Sequence, residues 1–439
     1  MIETFLTAYD PSDLPGTSID PLGFERGYLF LADKILPGLT NVASHPRYFA
    51  LLCTGIHLSG DAADVSQREL IRKRQDTILR LERFWALANV LARPGSSNAV
   101  RGVTYAQVRV DELLRSGITK TTANYLLLSR QGQYGAIGIY ASVAAGMRFL
   151  NRDDLTLTPA LGEPAAEAFL AETELPSSIR RAILDDSDVS VTVLKSWGER
   201  AHVDAEVNQD EAKCLFEALH SNPVRSRVAE LLERNPWKNG QETELDRLAR
   251  LAHKLEGRPV NQDLCEGIRC ILEFESCYRL VSLAFERFLW ICRHHAAASA
   301  TFDELNGDYV LRSAIQSLNG DSGRFLDAVK SGNEPAFRLG IERLTDVGTF
   351  LAEASAATST EAFVRTVIAR HTDVQHGKFD RGRRKMPWLE ANGKRINLTM
   401  TRVGGMSREA TLPAHIAPHP YRLRAADALI LASSKAAQS

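Results

Sequence analysis

The chain has 439 residues, of which 44% are hydrophobic and 24% are charged, as is typical of a globular protein with about two or three domains. Its 53 lysines and arginines nearly cancel its 54 aspartates and glutamates, so the molecule as a whole does not attract DNA or a membrane. Any contact with nucleic acid must therefore come from a local cluster of positive charge.

Several classes of protein are not indicated by the sequence. The six cysteines are too few for a disulfide-stabilised chain of this length, and their spacing matches no zinc or iron–sulfur pattern. The chain contains no Walker, GxSxG, HExxH or GxGxxG motif. The N-terminus lacks a basic region followed by an apolar run, and the most apolar stretch (280–292) is too short to span a bilayer, so we expect a cytoplasmic protein without membrane contact. Because the motifs named above are missing, we also expect no metal and no cofactor.

The first half of the chain has clear helical patterns. Ser66 and Glu69 form a capping-box pattern at the start of a long amphipathic segment. A short alternating strand is predicted at 155–158. The predicted helices are 24–36, 66–91, 104–116, one capped by Thr119 that contains Tyr125 to Leu128, 134–150, and one that continues through Phe169.

The second half is helical from 209 to about 374, and its tail then changes character. Residues 376–390 are rich in glycine and arginine, 395–401 alternate like a strand, and 424–435 form a final helix. The sequence predicts a mainly α, multi-domain protein with a small β element near the C-terminus. We divide it into an N-terminal helical region (1–98), a central module (99–205) and a C-terminal helical domain (206–439).

The central module resembles the winged-helix modules of bacterial proteins. The residues that carry the resemblance are the helix 136–149, the strand 155–159 and the helix 162–170. Such a module places a helix in the major groove of DNA, and exposed polar or basic side chains read the bases. The candidates here are Lys120, Asn124, Arg130, Gln131 and Gln133. Because residues 134–147 contain no lysine or arginine, a module that only packs against other helices is the alternative.

The segment from 370 to 388 is rich in basic residues. Its glycines keep the backbone open, and its aromatic residue offers a face for stacking, so it is a candidate for binding phosphate or a single strand of nucleic acid. The predicted nucleic-acid-binding residues are Lys378, Arg381, Arg383, Arg384, Lys385 and Trp388.

The same segment begins with Arg370, His371 and, five residues later, His376. This pattern resembles the short motif of HEPN ribonucleases, which have all-α domains. The resemblance implies that His376 is a general acid or base, that Arg370 stabilises the charged phosphate and that His371 is the polar partner. The alternatives are a helix end whose cations suit the helix dipole and a metal site at His371, Asp373 and His376, although His371 points away from the other two on a helix.

Three functions remain open. The first is a non-ATPase subunit that binds nucleic acid or protein partners of the same system, since the general style resembles uncharacterised accessory proteins of bacterial antiviral defence or DNA-mobility loci. The second is a metal-independent ribonuclease that uses Arg370 and His376. The third is a helical scaffold protein without catalytic activity, which the neutral net charge favours.

Overall fold

A computed structural model describes residues 20–60, 65–95, 99–257, 261–295, 297–331, 341–380, 383–399 and 411–434. Most of these residues are helical and the strands are short, which confirms the predicted mainly α fold with a small β element near the C-terminus. Contacts divide the chain into two compact units. Within the described residues, the first unit comprises 36–236 and 422–434, and the second comprises 20–35 and 237–421. The division into regions 1–98, 99–205 and 206–439 stays a prediction.

The described helices and strands are numbered along the chain. The helices are α1 Glu25–Ile35, α2 Arg47–Ser59, α3 Gln67–Ala92, α4 Val103–Arg115, α5 Gln131–Tyr134, α6 Ala136–Gly146, α7 Gly162–Thr173, α8 Ser177–Asp185, α9 Val191–Arg200, α10 Gln209–His220, α11 Pro223–Glu233, α12 Glu244–Leu255, α13 Gln262–His294, α14 Phe302–Gly307, α15 Tyr309–Ser331, α16 Ile341–Ser355, α17 Thr360–His376 and α18 Leu423–Ser433. The strands are β1 Lys120–Thr121, β2 Leu150–Asn151, β3 Thr156–Leu157, β4 Val189–Ser190, β5 Ser299–Thr301, β6 Phe379–Asp380, β7 Arg383–Arg384, β8 Leu389–Asn392 and β9 Arg395–Leu398.

The first unit is built around α2 and α3. Almost every residue of α2 is buried, and α3 packs against α2, α4 and α9. The predicted capping box opens α3: the Ser66 hydroxyl accepts a hydrogen bond from the Glu69 amide at 3.3 Å, and the Glu69 carboxylate accepts one from the Ser66 amide at 3.0 Å. These bonds satisfy amides that the first helical turn leaves unpaired.

The predicted helix after Thr119 is wrong. Residues 120–121 instead form β1, which pairs in antiparallel fashion with β4. In the segment that follows, the Arg83 side chain donates to the Ala123 carbonyl at 3.2 Å, and the Tyr125 hydroxyl donates to the Arg83 carbonyl at 2.7 Å. Contacts with α3 therefore replace the local hydrogen bonds that a helix would have made.

The module that resembles a winged helix has its other predicted elements in place. Helices α4, α6 and α7 form at the predicted positions, and β3 pairs with β2 in a small antiparallel hairpin. Gln131, one of the candidates for reading DNA bases, is buried and donates to the Glu82 carboxylate at 2.7 Å and to the Leu79 carbonyl at 3.1 Å. Because its amide is bonded within the protein, Gln131 is unsuited to reading a base edge. Winged-helix function stays a prediction.

The second unit is organised by α13, a helix of 33 residues that packs against α1, α12 and α15. A three-stranded antiparallel sheet in the order β5-β9-β8 lies against α13, with Ala300 of β5 directly opposite Ile396 of β9. Both of these side chains are fully buried. The strand predicted at 395–401 is present as β9 over Arg395–Leu398, and its apolar position faces the core, whereas residues 400–401 lie outside the described residues.

The final helix α18 belongs to the first unit, where it packs on α10 and α11. Arg422, the residue before α18, donates from its backbone amide to the Asn41 side chain at 2.8 Å and from its guanidinium to the Leu36 carbonyl at 3.0 Å. These bonds fix the start of a helix that the sequence placed correctly at 424–435.

The close contact between α3 and α9 depends on Gly198. A Cβ atom added at this position would lie 2.0 Å from the Ala88 carbonyl oxygen, a distance at which one of the two backbones must move. We expect Gly198→Ala to lower the free energy of unfolding by about 2 kcal/mol or more, as overpacking does. Urea titration followed by circular dichroism measures this loss.

The matched control is Gly240→Ala, because a Cβ at Gly240 would meet no atom within 4 Å. Its free energy of unfolding should stay within about 0.5 kcal/mol of the wild-type value. Equal losses in the two variants would show that the α3–α9 contact does not require glycine.

Candidate functional site

Helix α17 carries the predicted catalytic motif. Its N-terminus is capped by the Ser359 hydroxyl, which accepts a hydrogen bond from the Ala362 amide at 3.1 Å. The helix runs to His376, so the whole motif from Arg370 to His376 is helical. After Gly377 the chain enters the hairpin of β6 and β7.

Three cationic or polar side chains from this region bind three consecutive backbone carbonyls. Arg370 donates from Nε to the Leu22 carbonyl at 2.9 Å, His371 bonds through Nδ1 to the Pro21 carbonyl at 2.9 Å, and Lys378 donates from Nζ to the Asp20 carbonyl. We call this set of contacts the 20–22 clamp. It uses three residues of the predicted site to hold the segment that precedes α1.

Arg370 is also paired with a carboxylate. Its two terminal nitrogens donate to the two Asp346 carboxylate oxygens at 2.7 and 2.6 Å, and its guanidinium lies 5.5 Å from the centre of the Phe350 ring. The hydrogen bond from Arg370 lowers the pKa of the Asp346 carboxyl. The positive charge of Arg370, which the resemblance to HEPN ribonucleases assigns to a substrate phosphate, is therefore balanced by Asp346 within the protein.

His371 is fully buried and its two ring nitrogens are both bonded. Nε2 accepts a hydrogen bond from the Trp388 amide at 2.8 Å, so Nδ1 carries the proton that goes to the Pro21 carbonyl. Burial lowers the pKa of His371 to about 4, against the opposing effect of the Pro21 hydrogen bond. The imidazole is neutral near pH 7 and holds two distant segments together.

The segment held by the clamp in turn starts α1. The Asp20 carboxylate accepts hydrogen bonds from the backbone amides of Leu22, Gly23 and Glu25 at 2.7–3.2 Å. Gly23 adopts a left-handed backbone conformation, and a Cβ there would lie 2.9 Å from the Arg370 guanidinium. Burial also lowers the pKa of Lys378, whose amine approaches this turn. The contacts indicate a structural role for Lys378.

The arginines of β7 differ from those of the clamp. Arg383 and Arg384 are exposed, and Arg383 lies directly across the hairpin from Asp380. Among the side chains that the structure describes, no ion pair or hydrogen bond involves the Arg384 guanidinium. Lys385 is half-buried, and its amide donates to the Lys378 carbonyl at 2.9 Å, which extends the hairpin. Arg381 lies outside the described residues. Two of the six predicted binding residues are thus exposed to solvent on the hairpin.

Trp388 is packed within the second unit. Its ring lies 5.4 Å from the His371 ring and 6.1 Å from the Phe285 ring, measured between centroids. Phe379, at the start of the hairpin, is instead 46% exposed. That Trp388 binds nucleic acid stays a prediction, and Phe379 is a second aromatic residue of the segment, directly opposite Arg384.

The His376 side chain is exposed at the C-terminal end of α17 and forms no hydrogen bond or ion pair with the residues that the structure describes. It stands three residues before the hairpin. Histidine is the side chain that most often serves as a general acid or base. The structure therefore leaves His376 accessible, whereas it uses Arg370 and His371 internally.

One acidic residue of α13, Glu275, bonds to the segment that precedes α18. Glu275 is buried and accepts hydrogen bonds from His419 Nδ1 at 2.6 Å and from the Tyr421 hydroxyl at 2.8 Å. The carboxylate that pairs with Arg370 comes from Asp346 on α16. Glu275 thus anchors the segment before α18 within the second unit.

The cysteines have no reactive environment. All six are unpaired and buried, and burial raises the pKa of each thiol. Among the residues that the structure describes, no three or more His, Cys, Asp or Glu side chains are grouped to hold a metal ion. No described helix has the length and apolar character needed to cross a membrane.

A cavity of about 540 Å³ opens in the first unit, between α2, α3 and α8. Three of its lining residues are basic and three are acidic. The charged lining residues are Arg72, Lys73, Arg80, Glu69, Asp76 and Asp185. Arg80 already donates to the carbonyls of Ile183 and Leu184, both at 3.1 Å. Because the charges balance, this cavity has no clear preference for an anion or a cation.

No protein family model, curated protein or solved structure matches the chain. The geometry described above therefore carries the functional argument.

The 20–22 clamp makes stability depend on pH. Folding holds His371 neutral, so the unfolded chain binds its proton more readily, and stability is lost as pH falls from about 6.5 towards 4. We expect His371 to contribute about 3 kcal/mol less stability at pH 4 than at pH 7, from 1.36 kcal/mol per pKa unit. Denaturant titrations at pH 4 to 7 on wild type and His371→Gln measure this as the difference between the two curves.

The control is His376→Gln, which replaces an exposed histidine five residues away on the same helix. At pH 7 its free energy of unfolding should stay within about 0.5 kcal/mol of the wild-type value, because an exposed side chain is replaced. A His371→Gln curve parallel to wild type would contradict the assignment of a neutral, bonded imidazole.

Proposed function

We propose that the protein binds nucleic acid through the hairpin of β6 and β7, as a non-ATPase subunit of a bacterial defence or DNA-mobility system. The observation that carries this proposal is that the hairpin exposes two successive arginines, Arg383 and Arg384, and that the Arg384 guanidinium has no bond to a side chain or carbonyl that the structure describes. An exposed guanidinium binds phosphate oxygens with two parallel hydrogen bonds. Because the net charge is −1, attraction to nucleic acid must come from a local cluster of positive charge.

The clamp supports the proposal by fixing the base of the hairpin. Lys378, the residue before β6, is buried and bonded to the Asp20 carbonyl, and Lys385, the residue after β7, is bonded to the Lys378 carbonyl. A rigid base limits the conformational entropy that the arginines lose when an anion binds. This arrangement favours binding to a ligand outside the protein over a purely internal role for the charges of β7.

The double variant Arg383→Ala/Arg384→Ala tests the proposal. If each arginine contacts one phosphate, the slope of log affinity against log salt concentration should fall by about 1 to 2, and binding near physiological salt should weaken by about tenfold or more. Fluorescence anisotropy with labelled DNA and RNA at several salt concentrations measures both quantities.

The matched control is Arg180→Ala/Arg181→Ala. These are adjacent exposed arginines of α8, and they remove the same charge from a different surface. If both double variants reduce affinity equally, net charge rather than the hairpin governs binding, and the proposal fails. Wild-type protein that binds neither DNA nor RNA would leave an acidic protein partner or a scaffold role in its place.

A metal-independent ribonuclease is the second candidate. The observation in its favour is that His376 is exposed and precedes the basic hairpin by three residues, on a helix that contains the whole motif. The bond between Arg370 and Asp346 weighs against it, because substrate phosphate would have to displace a carboxylate that binds both terminal nitrogens of the guanidinium. His376 is therefore the residue on which the test must rest.

If the protein cleaves RNA, His376→Ala should reduce the rate by about a hundredfold or more, the usual contribution of a general acid or base. The assay uses labelled single-stranded RNA with EDTA present. The control His294→Ala alters the C-terminal residue of α13, whose ring nitrogen lies 2.8 Å from the Trp290 carbonyl. Cleavage that persists in His376→Ala excludes this candidate.

A further inference from the structure

The two faces of the β6–β7 hairpin differ in what they contact. Phe379 is directly opposite Arg384, and the Lys385 amide bonds to the Lys378 carbonyl. Successive residues of a strand point to opposite faces. Lys378 is turned inward to the Asp20 carbonyl, so its neighbour Phe379 and the cross-strand residue Arg384 occupy the outward face.

The outward face combines apolar and cationic side chains. Phe379 is 46% exposed, Arg384 is exposed beside it, and Met386, two residues further along, is 58% exposed. Directly opposed residues of an antiparallel pair have Cβ atoms about 5 Å apart. An aromatic ring and a guanidinium are therefore presented together to the solvent.

We propose that this face recognises unpaired bases, with Phe379 as the stacking residue, so that the ligand class is single-stranded nucleic acid. The inference rests on the proposed function and goes beyond it, because phosphate contacts alone do not distinguish single strands from duplexes. Base–aromatic stacking is available only where bases are unstacked, and it tolerates any sequence. Arg384 binds the phosphate next to the stacked base.

A nucleic-acid duplex offers no unstacked base to the outward face of the hairpin. Its bases are stacked on each other and present only their edges in the grooves, so Phe379 has no flat base to contact. Trp388, the aromatic residue first selected from the sequence, is held against the His371 and Phe285 rings. The stacking role thus falls to a side chain that the folded hairpin exposes.

The test compares full-length wild type, Phe379→Ala and Phe379→Trp by fluorescence anisotropy. The probes are a single-stranded 20-mer in DNA and RNA form, its duplex, and the same DNA strand with abasic sites along its length. We expect Phe379→Ala to weaken binding to the single strands about tenfold and to change duplex binding by less than about twofold. Phe379→Trp should restore the single-strand affinity, because it keeps an aromatic face.

The abasic strand isolates stacking from charge. Wild type should bind it about tenfold more weakly than the intact strand, and Phe379→Ala should bind the two strands alike. The salt dependence should be the same in wild type and Phe379→Ala, since no charge is removed. Thermal melting checks that each variant is folded.

Two outcomes would overturn the inference in different ways. In the first, wild type binds, and removing the bases lowers the affinity of wild type and of Phe379→Ala by the same factor. Phe379 then does not stack on a base, and the arginine contacts are judged separately by the Arg383→Ala/Arg384→Ala variant. If wild type binds none of the probes, the proposed function fails and this inference fails with it.

Discussion

The 20–22 clamp is the constraint on which the rest of the second unit's candidate site depends. Three carbonyls in a row would be left short of hydrogen-bond donors at the turn before α1, and Arg370, His371 and Lys378 supply those donors from the far end of the chain. A buried carbonyl without a donor costs free energy comparable to a lost hydrogen bond. The clamp therefore explains why Arg370 and His371, which read as catalytic in the sequence, bond to groups of the protein itself.

The clamp also separates two kinds of cation that are adjacent in the sequence. Arg370 and Lys378 have their hydrogen-bonding groups directed to internal acceptors, and burial penalises the charged form of Lys378. Arg383 and Arg384 stand on the hairpin beyond the clamp and remain exposed. A charged side chain binds an outside ligand best when no internal group already balances its charge. Exposure and ion pairing therefore identify the candidate binding arginines better than the local density of basic residues does.

Some features followed directly from local patterns. The capping box at Ser66 and Glu69, the helix α1, the strand β9 and the helix α18 were each predicted to within a few residues, because caps and periodic apolar positions act over a single turn or strand. The prediction of a helix after Thr119 is wrong for the opposite reason, because distant contacts determine the backbone there. There the backbone is held by Arg83 and Tyr125, and the contact joins segments about 40 residues apart. Intrinsic helix propensity is too weak to resist such contacts.

By itself, the sequence determined the mainly helical class, the positions of most helices and the concentration of positive charge after residue 370, because each of these depends on neighbours along the chain. Three features depend on how the chain folds: His371 is neutral and bonded to Pro21, 350 residues away, Arg370 pairs with Asp346, and Phe379 is exposed opposite Arg384. The physical reason is that burial and pairing are set by which distant segments come together, and no local pattern in this chain encodes that choice.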